Sequence, residues 1–238
     1  MAKILLIIPA YNEEGNILKT YNSIVKYNKE HKSNYEVVVI NDGSKDNTEE
    51  VLIKNNINHI KLIHNLGIGG AVQTGYKYAF ENGYDIAVQF DGDGQHDVNY
   101  IKNIVDPIIN DKANMVIGSR YLKSKSKFQS TKLRRFGIKV ISIFIKFFTR
   151  KKIFDTTSGF RAIDASLIAS FADSYPVEYP EPVSTVEAIK NKKKILEVPV
   201  EMNERENGVS SIRAWKNIYY MINVCLSIVL ISLRRNRK

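Results

Sequence analysis

Four short apolar runs, separated by segments of helical period, constrain this chain more than any other feature. Residues 3–8, 35–41, 57–63 and 84–90 have the length and β-branched content of buried strands. Between the first two, Ile17, Leu18, Tyr21, Ile24 and Val25 recur at helical spacing. Between the third and fourth, Val72, Tyr76, Ala79 and Phe80 do the same. Asp46, with Glu49 three residues on, predicts a capping box for an intervening helix. Such alternation predicts an α/β protein with a mainly parallel sheet covered on both faces. Ligands of these sheets sit beyond the carboxyl ends of the strands, where Asp42, Asn65 and Asp91 all fall.

The fourth strand runs into Phe90-Asp91-Gly92-Asp93-Gly94-Gln95-His96-Asp97. Two aspartates around one glycine do not both hide in a core. Their side chains alternate if the strand continues, whereas a turn at Gly92 converges them on one cation. Hard oxygen ligands suit Mg²⁺ or Mn²⁺, with a substrate diphosphate completing the shell. The bland reading of an isolated pair is a solvated acidic turn; the preceding strand and the other strand-end loops favour the cation.

The 238 residues suffice for one large domain, and the formal net charge of +10 implies an anionic partner. The single cysteine, Cys225, fits a reducing compartment and sits in an apolar run as an inert residue. The first apolar run is too short for a secretory signal, so the catalytic body is expected in the cytoplasm. Residues 120–152 hold twelve Lys or Arg and no acid. There Leu133, Phe136, Val140, Ile141, Phe144, Phe147 and Phe148 define one helical face, opposite Arg135, Lys139, Ser142, Lys146 and Arg150. That pattern predicts a helix at about 131–150 lying in a membrane interface, or alternatively one packed on the protein's own core. Pro176, Pro180 and Pro182 break up 165–190, and 195–202 reads as a late strand. The segment 214–233 is near the lower limit of roughly 17 apolar residues for a span, which favours a surface-embedded or re-entrant helix. The catalytic domain is therefore expected over 1–212, with 213–238 a membrane-associated helix and basic tail.

Several motifs together resemble one family. Pro9-Ala10-Tyr11-Asn12-Glu13-Glu14, Asn41-Asp42-Gly43-Ser44, Asn65-Leu66-Gly67 with Gly70, Asp91 to His96, and Gly118-Ser119-Arg120 occur in the order of family-2 inverting glycosyltransferases. The motifs 155–161 (Asp-Thr-Thr-Ser-Gly-Phe-Arg) and 205–211 (Arg-Glu-Asn-Gly-Val-Ser-Ser) resemble the branch with dolichol-phosphate mannose synthase and bacterial polyprenyl-phosphate glycosyltransferases. Asp97 stands where that branch more commonly has proline. The resemblance implies a GT-A fold, a Rossmann-like three-layer sandwich with a mainly parallel mixed sheet.

It also implies a donor nucleotide, preferably uridine, over Pro9, Ala10, Tyr11, Glu13, Asp42, Asn65, Gly67 and Gly70. Asp91 is then expected at the donor ribose or diphosphate, and Asp91, Asp93 and Gln95 at the metal. His96 is left between a supporting hydrogen bond and direct ligation. Arg120, Arg134, Arg135, Arg161 and Arg205 are the candidates for the lipid phosphate and leaving diphosphate, because arginine presents a forked donor array. Arg120, Arg134 and Arg205 lead, followed by Arg161. The implied reaction moves a sugar from a nucleoside diphosphate to undecaprenyl phosphate at the cytoplasmic membrane face, for cell-surface polysaccharide. A small membrane protein or a second copy is a possible partner. The alternatives are a glycosyltransferase extending a saccharide, for which Asp155 is a candidate base, a basic nucleic-acid-binding module, and an inactive membrane scaffold.

Overall fold

The computed structural model describes residues 2–122, 132–203 and 214–233, with the backbone alone at 132–134 and 214–219. Its strands are β1 (Ile4–Ala10), β2 (Tyr35–Asn41), β3 (His59–Lys61), β4 (Ile86–Gln89), β5 (Met115–Ser119), β6 (Arg161–Asp164) and β7 (Ile195–Pro199). They form one sheet in the order β3-β2-β1-β4-β6-β5-β7. Only β6 runs against the rest, between β4 and β5. The helices are α1 (Ile17–His31), α2 (Thr48–Lys54), α3 (Gly67–Glu81), α4 (Ile101–Ile109), α5 (Lys132–Thr149), α6 (Ala165–Asp173), α7 (Pro180–Lys190) and α8 (Ala214–Leu233).

Strand periodicity divides the core in two. Leu6 and Ile8 of β1 join Ile17 and Ile24 of α1, Leu52 of α2, and Ile101 and Ile104 of α4. Leu5 and Ile7 join Val72 and Tyr76 of α3, Phe171 of α6, Val186 of α7, and Val224 and Ile228 of α8. In β4, Val88 faces the first cluster, as does Phe90 just past its end, and Ala87 the second. The period of two therefore sends Gln89, and Asp91 beyond it, toward the α3/α7 side.

Several sequence expectations are corrected. The third strand has three residues rather than seven, because Ile57 closes the end of α2 through Leu52 O and Ile63 lies 90% exposed past it. The capping box at Asp46 does not form. Asn47 is the N-cap, Asp46 accepts from the Thr48 and Glu14 N–H groups, and Glu49 turns away to the Asn41 amide. The late strand ends at Pro199, and the proline-broken stretch holds two helices, with Pro180 opening α7.

Helices α5 and α8 depart most from the sequence pattern. On α5, Ile138, Ile141 and Ile145 are buried, and Phe144 and Phe148 pack half-buried against the core. The outward stripe is Phe136, Ile143 and Phe147, the last 78% exposed, beside exposed Arg135, Lys139, Lys146 and Arg150. The single apolar face read from sequence is thus two faces, one on the core and one in solvent. Helix α8 is no separate appendage, since it packs on α5 and α7. Lys190 Nζ caps it through Ile231 O (2.5 Å) and Ser232 O (3.0 Å). Its outward residues Ile222, Leu226, Leu230 and Leu233 recur at helical spacing. Among the described residues no helix is long and apolar enough to cross a membrane.

Candidate active site

The loops after β1, β2 and β3 are laced into one surface. Ala10 pairs in register with Asn41, and its carbonyl accepts from Asp42 N at 2.8 Å. Asn12 N–H donates to Ser44 Oγ (3.0 Å), and Glu13 N–H to Thr48 Oγ1 (2.9 Å). Glu13's carboxylate accepts from Asn16 Nδ2 (2.8 Å). Asp42 Oδ1 accepts from Leu66 N (2.7 Å), and Asn65 Nδ2 reaches back to Asp42 O (3.2 Å). Burial pushes the Asp42 carboxyl up, against the pull of the Leu66 and Gly67 N–H groups. Pro9 and Ala10 are buried in β1, whereas Tyr11 and Asn65 stand exposed at the rim.

Gly70 and Gly67 open α3 as expected, but Gly69 has another purpose. A Cβ there would lie 2.4 Å from the carbonyl oxygens of Pro176 and Val177. The absence of that carbon lets α3 pass close under the loop before α7.

The aspartate motif lies one strand further on. The backbone N–H of Asp91 donates to His96 Nδ1 at 2.9 Å, and His96 Nε2 lies 3.3 Å from Asp91 Oδ2. With Nδ1 accepting, the neutral ring carries its proton on Nε2, the nitrogen nearer the carboxylate. The imidazole stacks on Phe160 with centroids 4.7 Å apart and meets the edge of Phe90. Burial lowers its pKa, against the opposing fields of Asp91 and Asp93. His96 therefore braces Asp91 from both ring nitrogens.

Asp91's side chain keeps one-third of its surface exposed. A Cβ on Gly159 would lie 3.2 and 3.3 Å from its two oxygens and 2.9 Å from Gln89 Nε2. The absence of that carbon keeps the space before the carboxylate open. Asp93 is more buried; its Oδ1 accepts from Gln95 N (3.0 Å), and it lines a cleft with Asn16, Lys19, Thr20 and Asp97. Gln95 O accepts from Asn203 N at 2.9 Å. Among the described residues, no three His, Cys, Asp or Glu side chains gather around one point. Carboxylate oxygens of the kind Asp91 and Asp93 carry are the donor type suited to a hard divalent cation such as Mg²⁺ or Mn²⁺, with phosphate and water as further ligands.

The arginines divide. Arg120 is buried, and its Nε and Nη2 each lie 2.7 Å from an oxygen of Asp155, with Thr157 Oγ1 3.0 Å from Nη2. Burial works against its charge, and Asp155 overrides it, so its pKa is raised. Asp155 is fully buried and also accepts from Arg120 N; it is not presented to an acceptor hydroxyl. Arg161 has no exposed surface. Its guanidinium donates to Ser158 O, Glu181 O and Ser184 Oγ, which gives it an internal bracing role in place of the expected phosphate contact. The side chain of Arg134, and Arg205 with its motif, lie outside the described residues.

The structure adds residues that sequence reasoning missed. Gln89, Gly159 and Glu181 gather beside Asp91. Burial raises the Glu181 pKa, opposed by Arg161. Pro180 before Glu181 was the available signal, because proline favours the first helical position.

The chain is similar to glucosyl-3-phosphoglycerate synthase from Mycobacterium tuberculosis, solved with Mn²⁺ and uridine-diphosphate-glucose. The TM-score is 0.72 at 17% identity, over 99% of this chain and 80% of that one. The fold is therefore GT-A, the architecture of nucleotide-sugar glycosyltransferases. Residues 5–171 match the profile of glycosyl transferase family 2, and the chain belongs to that family. Its relatives include the UDP-N-acetylglucosamine–dolichyl-phosphate N-acetylglucosaminyltransferase of Methanococcus voltae. That protein is 34% identical over 95% of this chain and 98% of its own length. The polyprenol monophosphomannose synthase of Mycolicibacterium smegmatis is 27% identical over 88% and 81%.

Proposed function

We propose that this glycosyltransferase moves a sugar from a nucleoside-diphosphate sugar, preferably a UDP-sugar, to a polyprenyl phosphate at the cytoplasmic face of a membrane, with inversion and with a divalent cation. The observation that carries the reading is the Asp91 carboxylate, held by His96 and left open over Gly159 at the carboxyl end of β4. The laced loops of Pro9–Glu13, Asp42 and Asn65–Gly70 lie at the neighbouring strand ends and supply the donor site. The acceptor is drawn from the relatives, whose names specify dolichyl phosphate and polyprenol.

The chemistry asks little of side-chain acids or bases. A phosphomonoester with a second pKa of ~6 is largely dianionic at neutral pH. Its oxygen forms the new bond to the anomeric carbon as the bond to the diphosphate oxygen breaks on the opposite face. No proton need be removed, in keeping with Asp155 being committed to Arg120. When bound, the cation neutralises charge on the departing diphosphate. Asp91 and Asp93 hold it, and Gln95 follows in the same loop. Arg120 adds positive potential near Asp91, and Arg134 and Arg205 are the remaining candidates for the acceptor phosphate. The exposed stripe of α5, with its adjoining cations, is the face turned toward an anionic membrane.

A panel of nucleotide sugars, incubated with undecaprenyl phosphate and Mg²⁺ or Mn²⁺, tests the reading by the mass of the lipid product. One donor is expected to add a single sugar residue to the lipid. Hydrolysis of donors without a glycosylated lipid would count against the acceptor.

A further inference from the structure

Helices α7 and α8 run side by side in the same direction. At one end, the Tyr179 ring meets that of Tyr220 edge-on at 4.7 Å, and Asn223 Nδ2 lies 3.4 Å from Tyr179 Oη. At the other, Lys190 caps the carbonyls of Ile231 and Ser232. Tyr179 is the N-cap of α7 and has φ +54°, a left-handed conformation costly for an aromatic residue. Its surroundings must hold it there, and two of the holding side chains come from α8.

Two residues after Tyr179 comes Glu181, in the first turn of α7. Its backbone carbonyl and Ser184 Oγ are gripped by Arg161 at 3.2 and 3.1 Å, and Arg161 pairs with Gln89 across β4 and β6. Gln89 and Asp91 stand together over Gly159. A continuous path thus joins α8 to the carboxylate of the transfer site: Tyr220 and Asn223, Tyr179, Glu181, Arg161, Gln89, then Asp91. The outer face of the same α8 is the apolar stripe Ile222, Leu226, Leu230 and Leu233.

The geometry points to Tyr220 and Asn223 of α8 as positioning residues of the transfer site, which act through Tyr179 and Glu181 on Gln89 and Asp91. This inference rests on the reading of Asp91 as the donor-site carboxylate. The C-terminal helix is then part of the catalytic scaffold, and its role is not confined to attachment.

The test uses the full chain and a short, water-soluble prenyl phosphate, so that membrane binding does not enter the rate. Tyr220→Ala is expected to lower kcat about tenfold, on the scale of losing a residue that orients a ligand-binding side chain, with donor KM nearly unchanged. Tyr220→Phe keeps the ring and should retain the rate. Leu226→Ser on the outward stripe should weaken vesicle binding but not the soluble rate. Hydrogen exchange supplies a readout independent of the acceptor. Tyr220→Ala should speed exchange at Val183–Val186 and at Asp91, and Tyr220→Phe should not. If exchange rises only within α8 and kcat is unchanged, the helix does not position the site. If wild-type protein fails to use prenyl phosphate, the acceptor reading falls, and the exchange pattern still decides the inference.

Discussion

His96 holds Asp91 at two points, accepting its backbone N–H at 2.9 Å on Nδ1 and lying 3.3 Å from its carboxylate with Nε2. One ring therefore fixes both the main chain and the side chain of the residue on which the site depends. The arrangement works with a neutral imidazole, and burial between Phe90 and Phe160 favours that form.

His96→Phe preserves the stacking and removes both nitrogens. Turnover, or apparent affinity for the metal, is expected to fall by ~10–100-fold, the usual scale for losing a group that orients a ligand. Activity measured across a Mn²⁺ titration checks this. Unchanged turnover and half-saturation would remove the positioning role of His96.

Asp155 and Arg120 form a buried, two-pronged ion pair. Asp155→Ala leaves the Arg120 charge without its carboxylate and should cost about 3–5 kcal/mol of stability, measured by urea unfolding. Arg120→Met combined with Asp155→Leu should cost much less, because no buried charge is stranded. Equal losses in the two variants would show that the pair contributes through shape alone.

Much of the fold was legible because its signals are local. Buried parallel strands leave continuous apolar runs, and four of these, with the loops at their ends, located the sheet and the aspartate loop. Strand β6 was not legible: four residues bounded by Arg161 and Asp164 carry no run long enough to register. Glu181 was obscured because its importance depends on Gln89 and Arg161, far away in sequence. The motif that contains Arg161 was visible, but its complete burial was not, since an arginine in a strand has no local mark of being internal. On α5, the apolar positions on the core and those in solvent merge into one broad band, and only packing separates them.

That separation gives a test of membrane docking. Phe136→Asp with Phe147→Asp alters exposed positions and should release the protein from anionic vesicles while leaving its melting temperature within a few degrees. Phe144→Asp with Phe148→Asp alters residues on the core and should destabilise the fold by a few kcal/mol, from about 1–3 per buried group. Each exposed cation contributes about 1 kcal/mol at an anionic surface, so wild-type binding should weaken with salt without vanishing. Vesicle sedimentation beside thermal melts distinguishes the faces. Unchanged sedimentation of the first variant would rule out docking through that stripe.

Glu197 accepts from the backbone N–H groups of Phe154 and Asp155, and burial raises its pKa above the ordinary glutamate value of 4.5. The native state therefore holds this proton more tightly than the unfolded chain does. Its contribution to stability is fully present below about pH 4.5 and declines as pH rises through the folded value. Glu197→Gln should flatten that decline in urea titrations carried upward from about pH 4.5. An identical slope in the variant would assign the pH dependence to other groups.

Transfer to a bare polyprenyl phosphate through the Asp91–Asp93 loop is the step on which the proposed function stands. Initial rates with undecaprenyl phosphate, and separately with a lipid-linked saccharide, test it most directly when the lipid product is weighed by mass spectrometry. Glycosylated undecaprenyl phosphate is expected, with no product in EDTA, recovery with Mg²⁺ or Mn²⁺, and at least a ~100-fold loss in Asp93→Asn. Transfer to the saccharide alone, or full transfer to undecaprenyl phosphate in EDTA, would contradict it.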